Sequence, residues 1–109
     1  MTVNGGIVAA ESNNGNYYAA CAYGSLTVNG GVLDAQNTET PENSISTTVF
    51  TLGHKNANDS ISFGGVYADT AKIASRKKFN DGMNTYDSNT TSNVLTALKN
   101  VTLTPVTLQ

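Results

Sequence analysis

The sequence contains no tryptophan, one cysteine, one histidine and two prolines among its 109 residues. Because Cys21 is alone, no disulfide can form within the chain, and packing and hydrogen bonds must hold the fold. We expect Cys21 to be a small buried residue between alanines, since free cysteine commonly packs as a small hydrophobe. No apolar run approaches the length of a transmembrane helix, so no membrane span is predicted.

Charge is also scarce. Six basic and eight acidic side chains give a net charge of −2, and charged residues are 13% of the chain. This balance disfavours binding to nucleic acid or to an anionic membrane surface. The sequence is rich instead in Asn, Thr, Ser and Gly, a composition that suits short strands and tight turns. One domain is expected at this length.

A nine-residue segment occurs twice, as Thr2 to Ala10 and as Thr27 to Ala35. Both copies begin Thr-Val-Asn-Gly-Gly, and both continue with a β-branched residue and end in Ala. Self-similarity at a short fixed period predicts an all-β solenoid, in which each turn buries its apolar face against its neighbours. The chain begins inside a repeat and has no signal segment, so we expect a fragment of a longer exported protein whose signal lies upstream.

Beyond Ser44 the repeat is no longer legible. We therefore expect residues 1–43 to form repeat turns and residues 44–109 to form C-terminal turns and a cap within the same structural domain. A single short helix is predicted over Ser92 to Asn100, capped by Ser92 and with Val94, Leu95 and Leu98 on one face. Four strands are predicted in this half, over residues 45–52, 60–67 with an interruption at Gly64-Gly65, 70–79 and 101–108.

The unit Leu26 to Ala35 (Leu-Thr-Val-Asn-Gly-Gly-Val-Leu-Asp-Ala) resembles the ITINGGTVTA repeats of large β-helical surface proteins from gut Firmicutes and Bacteroidetes. The tail resembles the closing segment of those proteins at Phe50 to Gly53, Asn56 to Ile61, Phe79 to Gly82, Tyr86 and Leu103 to Val106. The resemblance implies a short right-handed parallel β-helix with an irregular C-terminal cap, in a secreted or cell-surface adhesin-like protein. It carries over no catalytic residue. Ala-Cys-Ala-Tyr at 20–23 stands where those repeats usually have glycines.

Three functions follow as hypotheses. The first is a non-catalytic segment of a bacterial adhesin-like protein that gives a rigid display or attachment surface. The second is a carbohydrate-binding module, in which Tyr17, Tyr18 and Tyr23 offer flat faces on which sugar rings stack. The third, a polysaccharide-lyase-like enzyme fragment, is least favoured. Glu11 and Asp34 lie at similar positions of the repeat, but no Lys or Arg lies beside them at those positions.

The remaining candidate groups suggest little chemistry. We interpret His54 as a solvated turn residue. The basic run Arg76-Lys77-Lys78 either binds an acidic glycan or phosphate or, as we favour, protects an exposed strand edge.

No cofactor or metal is predicted. Glycans or a host surface are the expected partners, and the exposed N-terminal turn, with Val3 and Ile7, is expected to allow homo-oligomers. An Asx-rich surface turn is favoured over a calcium site for Asn80, Asp81, Asn84, Asp87 and Asn89.

Overall fold

A computed structural model of the chain describes residues 1–14 and 16–106, except for the side chain of Tyr23. Strands dominate it, with one α-helix, α1, at Ser92–Thr96 and a short 3-10 helix at Pro41–Asn43. The strands are β1 (Thr2–Val3), β2 (Ile7–Ser12), β3 (Ala20–Val28), β4 (Val32–Asn37), β5 (Ile45–Leu52), β6 (Ser60–Phe63), β7 (Val66–Ile73), β8 (Lys78–Asn80), β9 (Thr85–Asp87) and β10 (Val101–Pro105).

The strands form two sheets, and the chain alternates between them from β1 to β8, after which β9 and β10 remain in the second sheet. The first sheet has the order β1-β3-β5-β7, and all its pairs are parallel. The second sheet has the order β2-β4-β6-β10-β8-β9. Its pairs β2-β4 and β4-β6 are parallel, whereas β10 is antiparallel to both β6 and β8, and β8 is antiparallel to β9.

The two copies of the repeated segment lie side by side in register. Val3 pairs with Val28 in the first sheet, and Ile7 pairs with Val32 in the second. The Asn29 side-chain amide donates a hydrogen bond of 2.8 Å to the side-chain oxygen of its counterpart Asn4. The recurrence of the segment therefore reflects parallel pairing of equivalent residues.

The predicted right-handed parallel β-helix is wrong as a description of the whole fold. The structure has two sheets, one of them mixed, and no solenoid. The reason lies in the C-terminal connections. Only residues 81–84 separate β8 from β9, and parallel strands need a crossover of a dozen or more residues, so this pair must be antiparallel. β10 then enters between β6 and β8 and ends the parallel pairing of the second sheet.

Several predicted elements are confirmed, with changed ends. The strand over 45–52 is present as β5, and Gly64-Gly65 separates β6 from β7. The predicted strand over 70–79 is wrong as a single strand, because β7 ends at Ile73, a turn follows, and residues 78 and 79 belong to β8. The helix is shorter than predicted. Ser92 is its first residue, and the Ser92 hydroxyl accepts a hydrogen bond from the Ala71 N–H at 2.9 Å instead of capping the helix. Of the predicted strand over 101–108, residues 107 and 108 lie outside the described part of the chain.

The core lies between the two sheets. The Phe50 ring, from the first sheet, meets the Phe63 ring, from the second, edge to face with centroids 5.9 Å apart. Burying side chains of this size contributes about 2–3 kcal/mol each. Val3, which was expected in an exposed first turn, is only 3% exposed and belongs to this core, whereas Ile7 is 79% exposed.

Close backbone stacking of the two Gly-Gly turns leads to a matched prediction. Gly6 and Gly31 occupy the same repeat position and have φ angles of +74° and +89°. A Cβ on Gly31 would lie 2.7 Å from backbone atoms of Gly5 and Gly6, whereas a Cβ on Gly6 meets nothing within 4 Å. We expect Gly6→Ala to lower the free energy of unfolding by about 1 kcal/mol through φ alone. Gly31→Ala should lower it by roughly 3 kcal/mol, because it adds the clash.

Urea unfolding of the two variants provides the measurement. Equal losses for Gly6→Ala and Gly31→Ala would show that the turns are not stacked as described.

Candidate functional site

The outer face of the first sheet carries a row of side chains at matching positions of three strands. Cys21 pairs with Ser46, and Ser46 pairs with Tyr67. Successive side chains of a strand point to opposite faces, so the partly buried Ala20 and Ala22 face inward while Cys21 faces outward. The expectation of a buried Cys21 is therefore wrong, because alternation along β3 places the alanines, and not the thiol, towards the core.

A shallow groove of about 190 Å³ runs along this face. A β-bulge borders it, because residues 23 and 24 of β3 together face the single residue Thr48 of β5, and Gly24 has φ +86°. Bulges bend a strand locally and are frequent beside functional sites. The groove is lined by Cys21, Ala22, Ser46, Thr47, Thr48, Tyr67 and Asp69.

The groove combines an aromatic face with polar groups. Tyr67 is 66% exposed, a large fraction for a tyrosine within a strand. Hydroxyl groups of Ser46 and Thr48 and the carboxylate of Asp69 lie in the same groove. A flat apolar ring beside hydrogen-bonding groups suits a ligand that has both an apolar face and many hydroxyl groups.

Beneath the groove lies a polar atom whose hydrogen bond is unmet. Thr47 is 6% exposed, and its Oγ1 has no hydrogen-bond partner within the described residues. Burying a hydroxyl without a partner costs about 1–3 kcal/mol in proteins. The buried Thr47 hydroxyl therefore lowers the free energy of unfolding, and it does so next to the groove.

Two of the tyrosines proposed from the sequence, Tyr17 and Tyr18, are not among the residues that line this groove. Tyr17 is 67% exposed and Tyr18 is half-buried, both in the loop that leads into β3. The buried Asn37 holds this loop, since its side-chain amide donates to the carbonyl oxygens of Asn14 and Tyr17 at 3.0 and 2.8 Å. The backbone of Tyr23 lies in the bulge beside the groove, and its side chain is outside the described part of the structure.

Tyr67, the central aromatic residue of the groove, was missed at the level of sequence. The available signal was the local alternation at the start of β7, in which Val66 is buried, Ala68 packs against the core and Tyr67 between them is exposed. That signal is weak because the neighbouring Gly64-Gly65 interrupts the pattern.

The carboxylates considered for lyase chemistry share the outer face of the second sheet. Asp34 pairs with Ala9, and Glu11 pairs with Gln36, so the two acids lie diagonally and not opposite one another. The Gln36 side chain donates to the Asp34 carboxylate at 2.9 Å.

Of the Asn- and Asp-rich segment, Asp81 and Asn84 lie in the turn between β8 and β9, whereas Asn80 and Asp87 lie in these strands and Asn89 follows β9. The Asp81 carboxylate accepts hydrogen bonds from the N–H groups of Asn84 and Met83 at 2.7 and 2.9 Å, and from the Tyr86 hydroxyl at 2.8 Å. These bonds hold the pKa of Asp81 below its usual value. Within the described residues, no group of three or more His, Cys, Asp or Glu side chains is placed to hold a metal ion.

His54 lies in a loop, as expected, but it is half-buried and not fully solvated. Its ring meets the Phe79 ring edge to face at 5.0 Å, and its Nε2 lies 3.0 Å from the Lys78 carbonyl oxygen. A carbonyl can only accept, so Nε2 carries the proton in the neutral ring. Burial, and after it the positive charge of Lys77, lowers the pKa of His54.

The basic run does not protect a strand edge, contrary to expectation. Arg76 and Lys77 lie in the turn between β7 and β8, and Lys78 is in β8, which is flanked by β9 and β10. Arg76 and Lys77 instead line a cleft of about 200 Å³ together with His54 and Lys55.

Asp59 fixes the loop that carries His54 and Lys55. Its carboxylate accepts hydrogen bonds from the N–H groups of Lys55 and Asn56 at 2.7 and 2.9 Å. Burial by itself raises the pKa of Asp59, but hydrogen bonds from the backbone of Asn56, Lys55 and Gly31 outweigh it and hold this pKa below its usual value.

Comparison with protein-family models, with curated protein sequences and with solved structures finds no match to this chain. Across the described part of the chain, no helix has both the length and the apolar character needed to cross a membrane.

The unmet hydrogen bond of Thr47 yields a stability prediction. Thr47→Val replaces the hydroxyl by a methyl group of similar size, so we expect the free energy of unfolding to rise by about 1 kcal/mol. In a domain of this size, that change corresponds to an increase in Tm of roughly 4–8 °C. Thermal unfolding by circular dichroism measures it, with the exposed Thr48→Val as control. A Tm that falls in Thr47→Val would mean that the hydroxyl is satisfied.

Proposed function

We propose that this chain is a non-catalytic, glycan-binding part of a bacterial surface protein, and that the groove around Tyr67 is its binding surface. The observation that carries the proposal is the exposed ring of Tyr67 within a groove that also holds Ser46, Thr48 and Asp69. The resemblance of the repeated segment to adhesin-like surface proteins supports the same function, and with it an exported location.

The chemistry of the groove fits a sugar better than a purely apolar ligand. A pyranose ring has an apolar face of axial C–H groups, which stacks on an aromatic ring, and a rim of hydroxyl groups, which need hydrogen-bond partners. Tyr67 supplies the ring, and Asp69 together with the two hydroxyl side chains supplies acceptors and donors. The groove lies on the outer face of the first sheet and is open to solvent, so a ligand with a repeating chain can extend along it.

A rigid display surface, the first hypothesis from the sequence, is compatible with the same surface. Strands β3, β5 and β7 contribute to the groove through in-register backbone pairing. Side chains placed on paired strands keep their spacing without help from a ligand, and such preorganisation reduces the entropy lost on binding.

Truncation of Tyr67 provides the test. We expect Tyr67→Ala to weaken glycan binding about tenfold, because roughly 1–2 kcal/mol of stacking is lost. A glycan array with mucin and plant-wall oligosaccharides first identifies a ligand. The rate at which an alkylating reagent modifies Cys21 then measures the affinity for that glycan. This thiol lines the groove and is the only one in the chain. A bound glycan should slow its modification.

The matched control is Tyr17→Ala, since Tyr17 is as exposed as Tyr67 but lies outside the groove. If Tyr17→Ala abolishes binding and Tyr67→Ala does not, the loop tyrosines predicted from the sequence form the site and the groove does not. If a bound glycan leaves the alkylation rate of Cys21 unchanged, the ligand lies elsewhere.

Self-association is a second partner proposal, and it uses another part of the molecule. Within the described residues, β2 ends the second sheet on one side, and Ile7 on its outer face is 79% exposed. An edge strand presents unpaired N–H and C=O groups that a second copy can pair with. We propose that two copies meet at this edge.

Ile7→Lys should then shift the protein to monomers while its Tm changes little, because Ile7 is exposed. Sedimentation velocity over a range of concentrations measures the change, and Val94→Lys, at another exposed apolar residue, serves as control. A wild-type chain that stays monomeric at high concentration would contradict the proposal.

A further inference from the structure

We infer that the cleft formed by the turns after β5 and β7 is a binding site for an anionic ester group, a sulfate or a phosphate. The cleft has a volume of about 200 Å³ and lies apart from the Tyr67 groove, with which it shares no lining residue. Its lining consists of His54, Lys55, Asn56, Ala57, Arg76, Lys77, Pro105 and Val106.

Parallel pairing brings the basic residues together. Leu52, the last residue of β5, pairs with Ile73, the last residue of β7. The turns that follow these strands therefore leave the first sheet at the same end, although they are about twenty residues apart in sequence. One turn carries His54 and Lys55, and the other carries Arg76 and Lys77.

The concentration of positive charge is unusual for this chain. Only six Lys and Arg residues occur in a sequence with net charge −2, and three of them line this one cleft. Like charges brought together repel one another, so the arrangement costs free energy until an anion is present.

Two of the three charged side chains in the cleft lack partners within the described part of the chain. In residues 1–14 and 16–106, the side chains of Arg76 and Lys77 form no hydrogen bond and no ion pair. The Lys55 ammonium makes only a long contact of 3.4 Å with the Asn4 carbonyl oxygen. Asp59, the acid in the same loop as Lys55, already accepts hydrogen bonds from the backbone of that loop. Donors for an incoming anion are therefore available.

The backbone of Arg76 adds an independent observation. The Lys77 N–H donates to the Ala74 carbonyl at 3.1 Å, which closes a four-residue turn, and Arg76, the third residue, has φ +66°. Glycine or asparagine is the usual residue at such a position. An arginine there costs about 1 kcal/mol or more, and strained residues of this kind are concentrated at functional sites.

The shape and chemistry of the cleft favour a small oxyanion over an extended polyanion. The guanidinium of Arg76 presents paired N–H donors that match two oxygens of one tetrahedral group. His54, neutral at pH 7, supplies a polar ring, while Pro105 and Val106 form an apolar wall that an attached carbon skeleton can contact. A sulfated or phosphorylated sugar has both parts.

The test is an NMR titration of nitrogen-labelled protein at fixed ionic strength, followed through backbone amides. The probes are sulfated galactose, phosphorylated galactose, inorganic sulfate and plain galactose. We expect the sulfated or the phosphorylated sugar to shift the amides of Lys55, Asn56 and Lys77 in a saturable manner. Preference for one ester identifies the source of the anion, and equal binding means that the site recognises the oxyanion alone.

Arg76→Asn is the decisive variant, because asparagine suits a positive φ while removing the charge. We expect affinity for the anionic sugar to fall at least about tenfold, with a Tm equal to or above that of the wild type. Lys99→Gln is the control, because it also removes one positive charge but Lys99 lies near Gly65 and does not line the cleft. This variant should bind the anionic sugar with unaltered affinity. Lys77→Gln, which keeps the turn intact, should also weaken binding.

Three results would overturn the inference. Plain galactose could shift the same amides with the same affinity, Arg76→Asn could bind as well as the wild type, or Lys99→Gln could lose as much as Arg76→Asn. Saturable binding of single-stranded oligonucleotides with higher affinity than either ester would assign the cleft to a nucleic acid instead. Tyr67→Ala separates this site from the proposed glycan groove, because it should leave these titrations unchanged.

Discussion

The second Asn-Gly-Gly turn lies against the first so closely that no side chain fits between them, and this contact sets the offset of 25 residues at which β1 pairs with β3 and β2 pairs with β4. Once the turns are stacked, the strands on either side must run parallel to their earlier copies. The apolar residues of the strands then face one interior shared by two sheets. Asn4 and Asn29 complete the contact through their side chains. Short-range chemistry of glycine and asparagine thus organises pairing between distant parts of the chain.

Parallel pairing also explains where the chemistry of the molecule lies. Parallel neighbours begin and end together, so residues at equal positions on successive strands form rows on the sheet, and the turns that follow them gather at one end. The row Cys21, Ser46 and Tyr67 forms the groove in this way. The turns that carry Lys55 and Arg76 form the basic cleft in the same way. Neither set is contiguous in sequence, and each draws on two or more strands or turns.

The expectations for Cys21, His54 and Arg76 differ from the structure, and each difference has a physical cause. Cys21 was expected inside because its neighbours are alanines, but alternation turns the neighbours inward and the thiol outward. His54 was expected in solvent, yet the chain returns through Lys78 and Phe79 to cover one side of its ring. Arg76 was expected on a strand, whereas a turn with positive φ lies there. For His54 the deciding neighbour comes from a distant segment, and for Arg76 the cause is backbone geometry that side-chain patterns do not record.

Local sequence determined much of this protein by itself. The Asn-Gly-Gly turns, the strand at 45–52, the break at Gly64-Gly65 and the Asx-rich turn after β8 all follow from short-range preferences for strands and for positive φ. The position of β10 between β6 and β8 was decided only by the tertiary structure. In this position Leu103 packs against a core to which the whole chain contributes, and β10 pairs antiparallel with β6. The tertiary structure also decided which polar residues meet. The groove and the cleft exist only after distant strands have paired, and no local preference encodes that pairing.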